Sequence, residues 1–452
     1  MSAVSVPSVS AAAPPGAPRL LSAGLLLVVL AVAFESMAVG TVLPRVAEEL
    51  RGLPLYGWAS GAFLLASLFG AVASGVLTDR RGMASSATLS LAVFALGLAV
   101  AGLAASMPVF VFGRLVQGLG AGGLGALPFV VIAARYPEEG RAPMLAAVSG
   151  AWLLPALVGP LVASLIADTW SWRAVFWGLI PVLALVAPLC VLPLRGGTGR
   201  GSASGDRALL WPALGLTLAA GAGLEGLRRD DALALPLTLL GVVGVVLASR
   251  PLFPRGMWHL APGLPAALVV RGFAAFALLG TSSFLPLALR ELRGLSLTEA
   301  GWLLSVGGVS WTLGASVQAR LDRRLGPGSR PARIRVGMAV LTAGLLVTAL
   351  AVLGHLPLPW AYAGQALAAL GMGVGYNSNS LLALATVRPE DSGRLSGQLA
   401  NAEVLMTAAA AGVGGALLAR VEPLGTAFAL AFLVTLLGSL VTWLAAARVG
   451  RG

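Results

Sequence analysis

Apolar runs of 18 or more residues follow one another along nearly the whole chain, separated by short charged or Gly- and Pro-rich breaks. One such run, wound as an α-helix, crosses a hydrocarbon core about 30 Å thick. Inside lipid the backbone must satisfy its own N–H and C=O groups, which leaves only helices and closed barrels. The runs are continuous rather than alternately apolar and polar, so they read as helices and not as barrel strands. Only 11% of residues are charged and the mean hydropathy is +0.90, whereas soluble domains carry about 25% charge. The expected fold class is an all-α polytopic membrane protein. Fourteen spans are read, at 20–45, 57–78, 84–106, 108–134, 142–167, 174–194, 208–227, 232–249, 262–289, 299–319, 334–354, 358–387, 395–419 and 425–447.

The net charge of +12 is carried entirely by arginine and sorts by side of the membrane. With these spans, 20 of the 30 Arg lie on the side of the amino terminus, 8 lie opposite, and Arg114 and Arg271 fall inside spans. Such asymmetry orients a polytopic protein with its basic side inward. Both termini are therefore expected in the cytoplasm of a cell that holds the chain in its plasma or inner membrane. The basic excess is read as orientation, not as a nucleic-acid surface. No lysine is present, so a phosphate-binding P-loop is excluded. One cysteine, Cys190, and two histidines, His259 and His355, exclude an internal disulfide and offer no metal cluster. No enzyme motif, cofactor or obligate protein partner is expected. The energy source is then an ion gradient, and the partners are protons, a small-molecule substrate and the lipid bilayer.

Residues 1–19, rich in Ala, Pro and Ser, read as a disordered cytoplasmic tail. The run after Arg19 is longer than a secretory-signal core and holds Glu35, so it is expected to stay as the first span. Residues 20–194 read as an N-terminal six-helix bundle and 195–207, rich in Gly, Ser and Arg, as a cytoplasmic linker. Two additional helices follow over 208–250, and a C-terminal six-helix bundle over 251–448. The segment Gly75-Val76-Leu77-Thr78-Asp79-Arg80-Arg81-Gly82 reads as a polar loop after the second span of the first six. An echo, Asp322-Arg323-Arg324, follows the second span of the last six. Parallel repeats of this kind build one large class of transporters.

These residues resemble the major facilitator superfamily, and within it the fourteen-span branch of drug:proton antiporters. Gly75, Leu77, Asp79, Arg80 and Gly82 match the superfamily's loop between its second and third spans. The run Arg114-Leu115-Val116-Gln117-Gly118-Leu119-Gly120-Ala121-Gly122 resembles its fourth-span motif, and Gly150 with Gly159-Pro160 its antiporter motif. Trp172-Arg173 with Phe176-Trp177 is similar to the entry to the sixth span. Glu35, nine residues before Pro44, stands where the branch usually has Asp. Two departures are visible: Met83-Ala84-Ser85 replaces the basic residues usual after the loop glycine, and Ala163 replaces a glycine. The resemblance implies a major-facilitator-type fold, two six-helix bundles plus two central helices. It also implies proton-coupled export of small amphipathic, apolar or cationic compounds by alternating access. An uptake symporter for a polar metabolite and a non-transporting scaffold or sensor are the alternatives.

Ionisable groups inside spans are costly and usually face a cavity or each other. Counted at a 1.5 Å rise, Glu35 and Arg114 lie about 8 Å and roughly 9 Å from the outer face, on spans one and four. Glu35 is the expected protonation site with Arg114 as its modulating partner; the alternative is a static ion pair. Glu403, beside Asn401 in span thirteen, reads as a second proton or cation site, or as a helix-to-helix hydrogen bond. Arg271 either counters an anionic substrate group or neutralises Glu403. Gln117, Tyr376, Asn377 and Asn401 complete the candidate substrate cavity, and Glu225 reads as an interfacial side chain. Asp79 and Asp322, with Arg80, Arg323 and Arg324, are candidates for a cytoplasmic gate, or else solvated loops. Gly150, Gly159 and Pro160 would let helices approach and bend, or serve ordinary small-residue packing. Trp170, Trp172 and Trp360 read as interfacial anchors.

Overall fold

The computed structural model describes residues 17–196, 206–388 and 392–450. Most of the expected tail over 1–19 and the middle of the linker over 195–207 lie outside the described residues. Fifteen α-helices follow one another among them: α1 Ala17–Glu49, α2 Tyr56–Arg81, α3 Met83–Gly102, α4 Met107–Arg135, α5 Glu138–Gly150, α6 Leu153–Thr169, α7 Trp172–Val191, α8 Leu210–Arg228, α9 Ala234–Ser249, α10 Leu264–Arg293, α11 Leu297–Leu325, α12 Arg330–Val352, α13 Pro359–Leu384, α14 Ser392–Arg420 and α15 Leu424–Val449. Eleven helical segments, with α5 and α6 taken as one, are long and apolar enough to cross a membrane. The three other predicted spans fall on α9, α11 and α13. The first has 16 residues. The other two reach 29 and 26 residues but carry Glu299 and Gln318, and Gln365, Tyr376, Asn377 and Asn379. Their polar side chains lower the apolarity that length alone would confer.

Two expectations need correction. The span read at 142–167 falls within one apolar segment, Glu138–Thr169, but its helix is interrupted at 151–152, between α5 and α6. Pro155 has no N–H to offer the carbonyl of Ala151 and its ring crowds that carbonyl, which favours a turn there, although α1, α4 and α7 run through Pro44, Pro128 and Pro181. The Asp-Arg-Arg segments are likewise not loops. Residues 75–81 are helical to the end of α2, and Asp322-Arg323-Arg324 occupy the last turn of α11. One glycine stops the first helix and the same device recurs in the second. Gly82 (φ 84°, ψ 165°) and Gly326 (φ 69°, ψ 177°) adopt nearly the same left-handed backbone, each donating its N–H to the carbonyl four residues back. An L side chain rarely adopts that φ. Arg80 and Arg81, and Arg323 and Arg324, then sit where the helix dipole favours cations.

Lipid offers no hydrophobic drive between helices, so close backbone contact has to replace it. In α4, Gly118 and Gly122 press on the carbonyls of Phe63 and Ser67 in α2, while Gly120 faces the backbone of Phe94 in α3. A glycine series in α13 repeats the arrangement, with Gly373 on Trp311 of α11 and Gly371 on Gly337 of α12.

One apolar core runs through α1–α7 and continues into the parts of α10, α11, α12 and α15 remote from the chain termini, among them Phe284, Leu303, Val352 and Phe428. A second core occupies the opposite ends of α10 and α12–α15, with Leu268, Ile334, Leu399 and Ala445, and takes in Leu65 and Leu68 of α2 and Leu216 and Leu224 of α8. The two groups of helices thus share the distal core, while the second core takes from the first group only Leu65 and Leu68 among its buried residues. Polar ties join the distal ends: Arg290 to Glu48 at 2.6 Å, and Thr298 to Asp168 at 2.9 Å. Gly57 of α2 meets Gly415 of α14 backbone to backbone on the same side. Helix α8 lies over this α2–α14 seam. Thr217 bonds the Leu65 carbonyl, Trp58 donates to Glu225 at 3.0 Å, and Arg420 of α14 donates to the Leu227 carbonyl at 3.0 Å.

The α3–α4 contact makes a direct forecast. A Cβ at Gly120 would lie 2.4 Å from the Phe94 backbone nitrogen, whereas Gly125 has nothing within 4 Å. Gly120→Val should cost about 1–3 kcal/mol or more through overpacking and lower the thermal midpoint in detergent. Gly125→Ala should leave the midpoint level or slightly raised, and equal midpoints for the two variants would contradict the close α3–α4 approach.

Candidate functional site

The spans hold two polar clusters, and they differ in access. The first joins α1, α2 and α4. Glu35 is 0% exposed, Arg114 3% and Gln117 0%. Arg114 and Glu35, placed at one depth by residue counting, form an ion pair through Nη1 and Oε1. The same Nη1 donates to Gln117 Oε1 at 2.6 Å, one helical turn along α4. Arg114 Nε donates to the Ala59 carbonyl of α2 at 3.2 Å, and its guanidinium lies 4.2 Å from the centre of the Phe63 ring. The tight α2–α4 approach at Gly118 brings that carbonyl within reach. Glu35 Oε2 and Gln117 Nε2 have no hydrogen-bond partner among the described residues. Removing either charge of such a pair strands the other in a dry interior, at a cost of about 3–5 kcal/mol.

The second cluster draws on α10, α11, α13 and α14. Arg271 Nη2 lies 2.9 Å from Glu403 Oε2, and its Nε donates to the same oxygen at 3.0 Å. Arg271 Nη1 donates to Ser380 Oγ at 2.7 Å, and Tyr376 donates its hydroxyl to Glu403 Oε2 at 2.7 Å. The guanidinium sits 3.5 Å from the centre of the Tyr376 ring, and Trp311 meets that ring edge-on at 5.4 Å. Side-chain exposure is 13% for Arg271 and 21% for Glu403, against 4% and 1% for Arg114 and Glu35. Sequence reasoning missed Ser380 and Trp311. The spacing of Tyr376 and Ser380, one turn apart on α13, was the available signal for the first. Nothing in the order of residues points to Trp311.

Other candidates fall away from these clusters. Asn377 donates to the Gly373 carbonyl of its own helix at 3.0 Å, and Asn401 is half-buried on α14. Glu225 lies at the rim, held by Arg228 and Trp58, away from both clusters. Trp172 is buried, not an interfacial anchor. It packs edge-on against Phe110 and Phe176 and donates to Glu49 at 2.7 Å, while Arg173 pairs with the same carboxylate. Gly159 faces Met37 and Phe34 of α1, and the Pro160 carbonyl lies against Gly301 of α11. Gly150 ends α5 at the helix break.

At the face of the termini, Asp322 accepts two hydrogen bonds from Arg330, at 2.9 and 2.8 Å, and a third from Arg333. Both arginines belong to α12; Arg323 and Arg324, expected as members of this gate, are exposed on α11. Beyond the predicted end of that span, the Arg330 hydrogen bonds, reinforced by Arg333, hold the Asp322 carboxyl well below the usual carboxylate range. The matching positions after Gly82 carry Ser86 and Leu89, and Ser86 bonds the Ser74 carbonyl at 3.0 Å. Asp79 is half-buried near the end of α2, and Arg80 is exposed.

Known proteins agree with this architecture. Residues 25–411 match the family model of the Major Facilitator Superfamily. The multidrug transporter protein MdtP of Bacillus subtilis is 24% identical over 339 residues, which is 73% of this chain and 62% of that protein. A probable multidrug-efflux transporter of Mycobacterium tuberculosis is 29% identical over 300 residues, 62% of either chain. The chain thus spans less than two thirds of the length of these relatives. Among solved structures, a peptide transporter crystallised with sulfate superimposes with a TM-score of 0.69 at 17% identity, over 99% of this chain and 97% of that one. The human organic anion transporter MFSD10 gives 0.62 at 17% identity, over 95% and 100%. A family match over most of its length, on an architecture of apolar helices, shows that this chain belongs to the Major Facilitator Superfamily.

Proposed function

We propose that the protein exports small amphipathic, apolar or cationic compounds in exchange for protons, by alternating access across the plasma or inner membrane with both termini in the cytoplasm. The observation that carries this reading is the sealed cluster of Glu35, Arg114 and Gln117. A buried carboxylate with one oxygen bound to Arg114 and the other without a partner has a free position for a proton. Protonation there removes the charge that Arg114 faces. Arg114 retains Gln117, the Ala59 carbonyl and the Phe63 ring when that happens. It can therefore loosen from α1 without being left in lipid unpaired, which makes the pair a two-position element linking α1 to α2 and α4. Relatives named as multidrug and efflux transporters support the cargo class. A core shared at the distal face and a second core drawn mainly from the later helices fit one end state of a rocking cycle. The proton gradient supplies the energy, and no cofactor is assigned. The place of α8 and α9 between the two six-helix groups supports assignment to the fourteen-span antiporter branch.

Inverted vesicles loaded with the purified protein provide the test. With an imposed pH gradient, Glu35→Gln should lose gradient-driven dye accumulation by at least about tenfold, as expected when the titrating group itself is removed. Undiminished accumulation by that variant would sink the proton assignment. A second measurement addresses the static alternative. Arg114→Met should cost about 3–5 kcal/mol of stability by stranding Glu35, and the double change Glu35→Leu with Arg114→Met should recover most of it. The double variant should be stable and inactive; stable and fully active would reduce the pair to a fastener.

A further inference from the structure

We propose that Glu403, Tyr376 and Trp311 form a receptacle for a flat organic cation, and that Arg271 is its built-in occupant, which a substrate cation must displace. The inference rests on the export reading above and names the charge and shape that this part of the cavity selects.

Every contact Arg271 makes here is one that a planar, charge-delocalised cation would make. Its guanidinium lies 3.5 Å from the centre of the Tyr376 ring, within the range in which ring quadrupoles attract cations. Two of its N–H groups reach Glu403 Oε2, at 3.0 and 2.9 Å. Trp311 stands edge-on to Tyr376 at 5.4 Å and extends the aromatic wall. The Tyr376 hydroxyl, bonded to Glu403 at 2.7 Å, fixes both the ring and the carboxylate, so the receptacle keeps its shape whoever occupies it. Arginine stacks on aromatic faces because its charge is spread over a weakly hydrated plane, and aromatic dye cations share that property.

Access separates this pair from the other. Glu35 and Arg114 are shut away, whereas 21% of the Glu403 side chain and 13% of Arg271 remain exposed. The helices involved point to where that exposure opens. The distal part of α10 carries the tie to α1, α14 meets α2, and α11 meets α6. Nearer the termini the two groups are joined less, the second core drawing only Leu65 and Leu68 of the first group among its buried residues. Arg271 also has somewhere to go. Its Nη1 is bonded to Ser380, a neutral partner on α13, so the guanidinium can leave Glu403 without losing every contact. An anion approaching the cluster would meet Glu403, already in contact with Arg271, and would have to break that pair before gaining it. A planar cation gains the carboxylate and the ring together.

The experiment measures binding of ethidium, a flat monovalent aromatic cation, to the purified full-length protein in detergent by fluorescence anisotropy, with no gradient present. Arg271→Gln removes the competitor and keeps Glu403; it should tighten ethidium binding roughly tenfold, the effect of deleting one moderate ion pair from the competing state. Arg271→Lys, still cationic but not planar, should fall between. Glu403→Gln should abolish the gain in the Arg271→Gln background. Thermal midpoints of all variants show that the protein is folded. Unchanged or weaker ethidium binding in Arg271→Gln would overturn the proposal, as would a gain that survives Glu403→Gln, or no binding by any folded variant. Because no gradient is applied, loss of the proton assignment at Glu35 would leave this result standing, and the reverse also holds.

Discussion

A charge placed in hydrocarbon has no water to stabilise it, and among the described residues Glu35, Arg114, Arg271 and Glu403 are such charges. Each is matched by an opposite charge on a different helix, so the same bonds that solve the solvation problem also fasten the fold. Glu35 and Arg114 tie α1 to α4, and the Ala59 carbonyl draws in α2. Arg271 and Glu403 tie α10 to α14, with α13 joined through Tyr376 and Ser380. Pairs of this kind contribute little net stability compared with apolar packing. Their presence in both groups of helices is better explained by what a pair can do when one partner changes charge or meets a competitor.

The reach of those side chains depends on how closely the helices approach. Glycines of α4 bring the α2 backbone against it, which is why Arg114 can bond a carbonyl of α2 at all. The seam between the two groups at the distal face is also made of small residues, Gly57 against Gly415 and Gly301 against the Pro160 carbonyl. Backbone contacts of this sort are lost together when the surfaces part, along with the Arg290–Glu48 and Thr298–Asp168 ties. A seam that is either closed or open, with little between, suits an element with two states. The α8–α9 hairpin lies across one such seam and bonds both sides of it, so any separation of α2 from α14 must break either its ties to Leu65 and Trp58 or its tie to Arg420.

The two polar segments that most suggested a repeat share one backbone solution and differ in chemistry. Gly82 and Gly326 end their helices in the same conformation. After Gly326, α12 supplies Arg330 and Arg333 to Asp322; at the same distances after Gly82, α3 has Ser86 and Leu89. The duplicated turn therefore preserves geometry in both copies, while the arginine clamp from the following helix is a property of the second.

How far the order of residues determined this structure varies from site to site. Continuous apolar runs without alternation dictated an all-helical membrane protein, since lipid permits little else, and arithmetic at 1.5 Å per residue put Glu35 and Arg114 at one depth before any fold was known. Depth is a one-dimensional quantity, and sequence carries it. Which faces of the helices meet is not, and there the fold decided. Trp311 joins Tyr376, Trp172 turns inward to Glu49, and Asp322 takes its partners from α12 instead of its own Arg323 and Arg324, because rotation about each helix axis is set by contacts between segments far apart in the chain. The turn at 151–152 was not legible either, since prolines elsewhere, such as Pro128 in α4, leave their helices unbroken. The difference in exposure between the two ion pairs, which separates a sealed charge from one within reach of a ligand, likewise exists only once all the helices have packed.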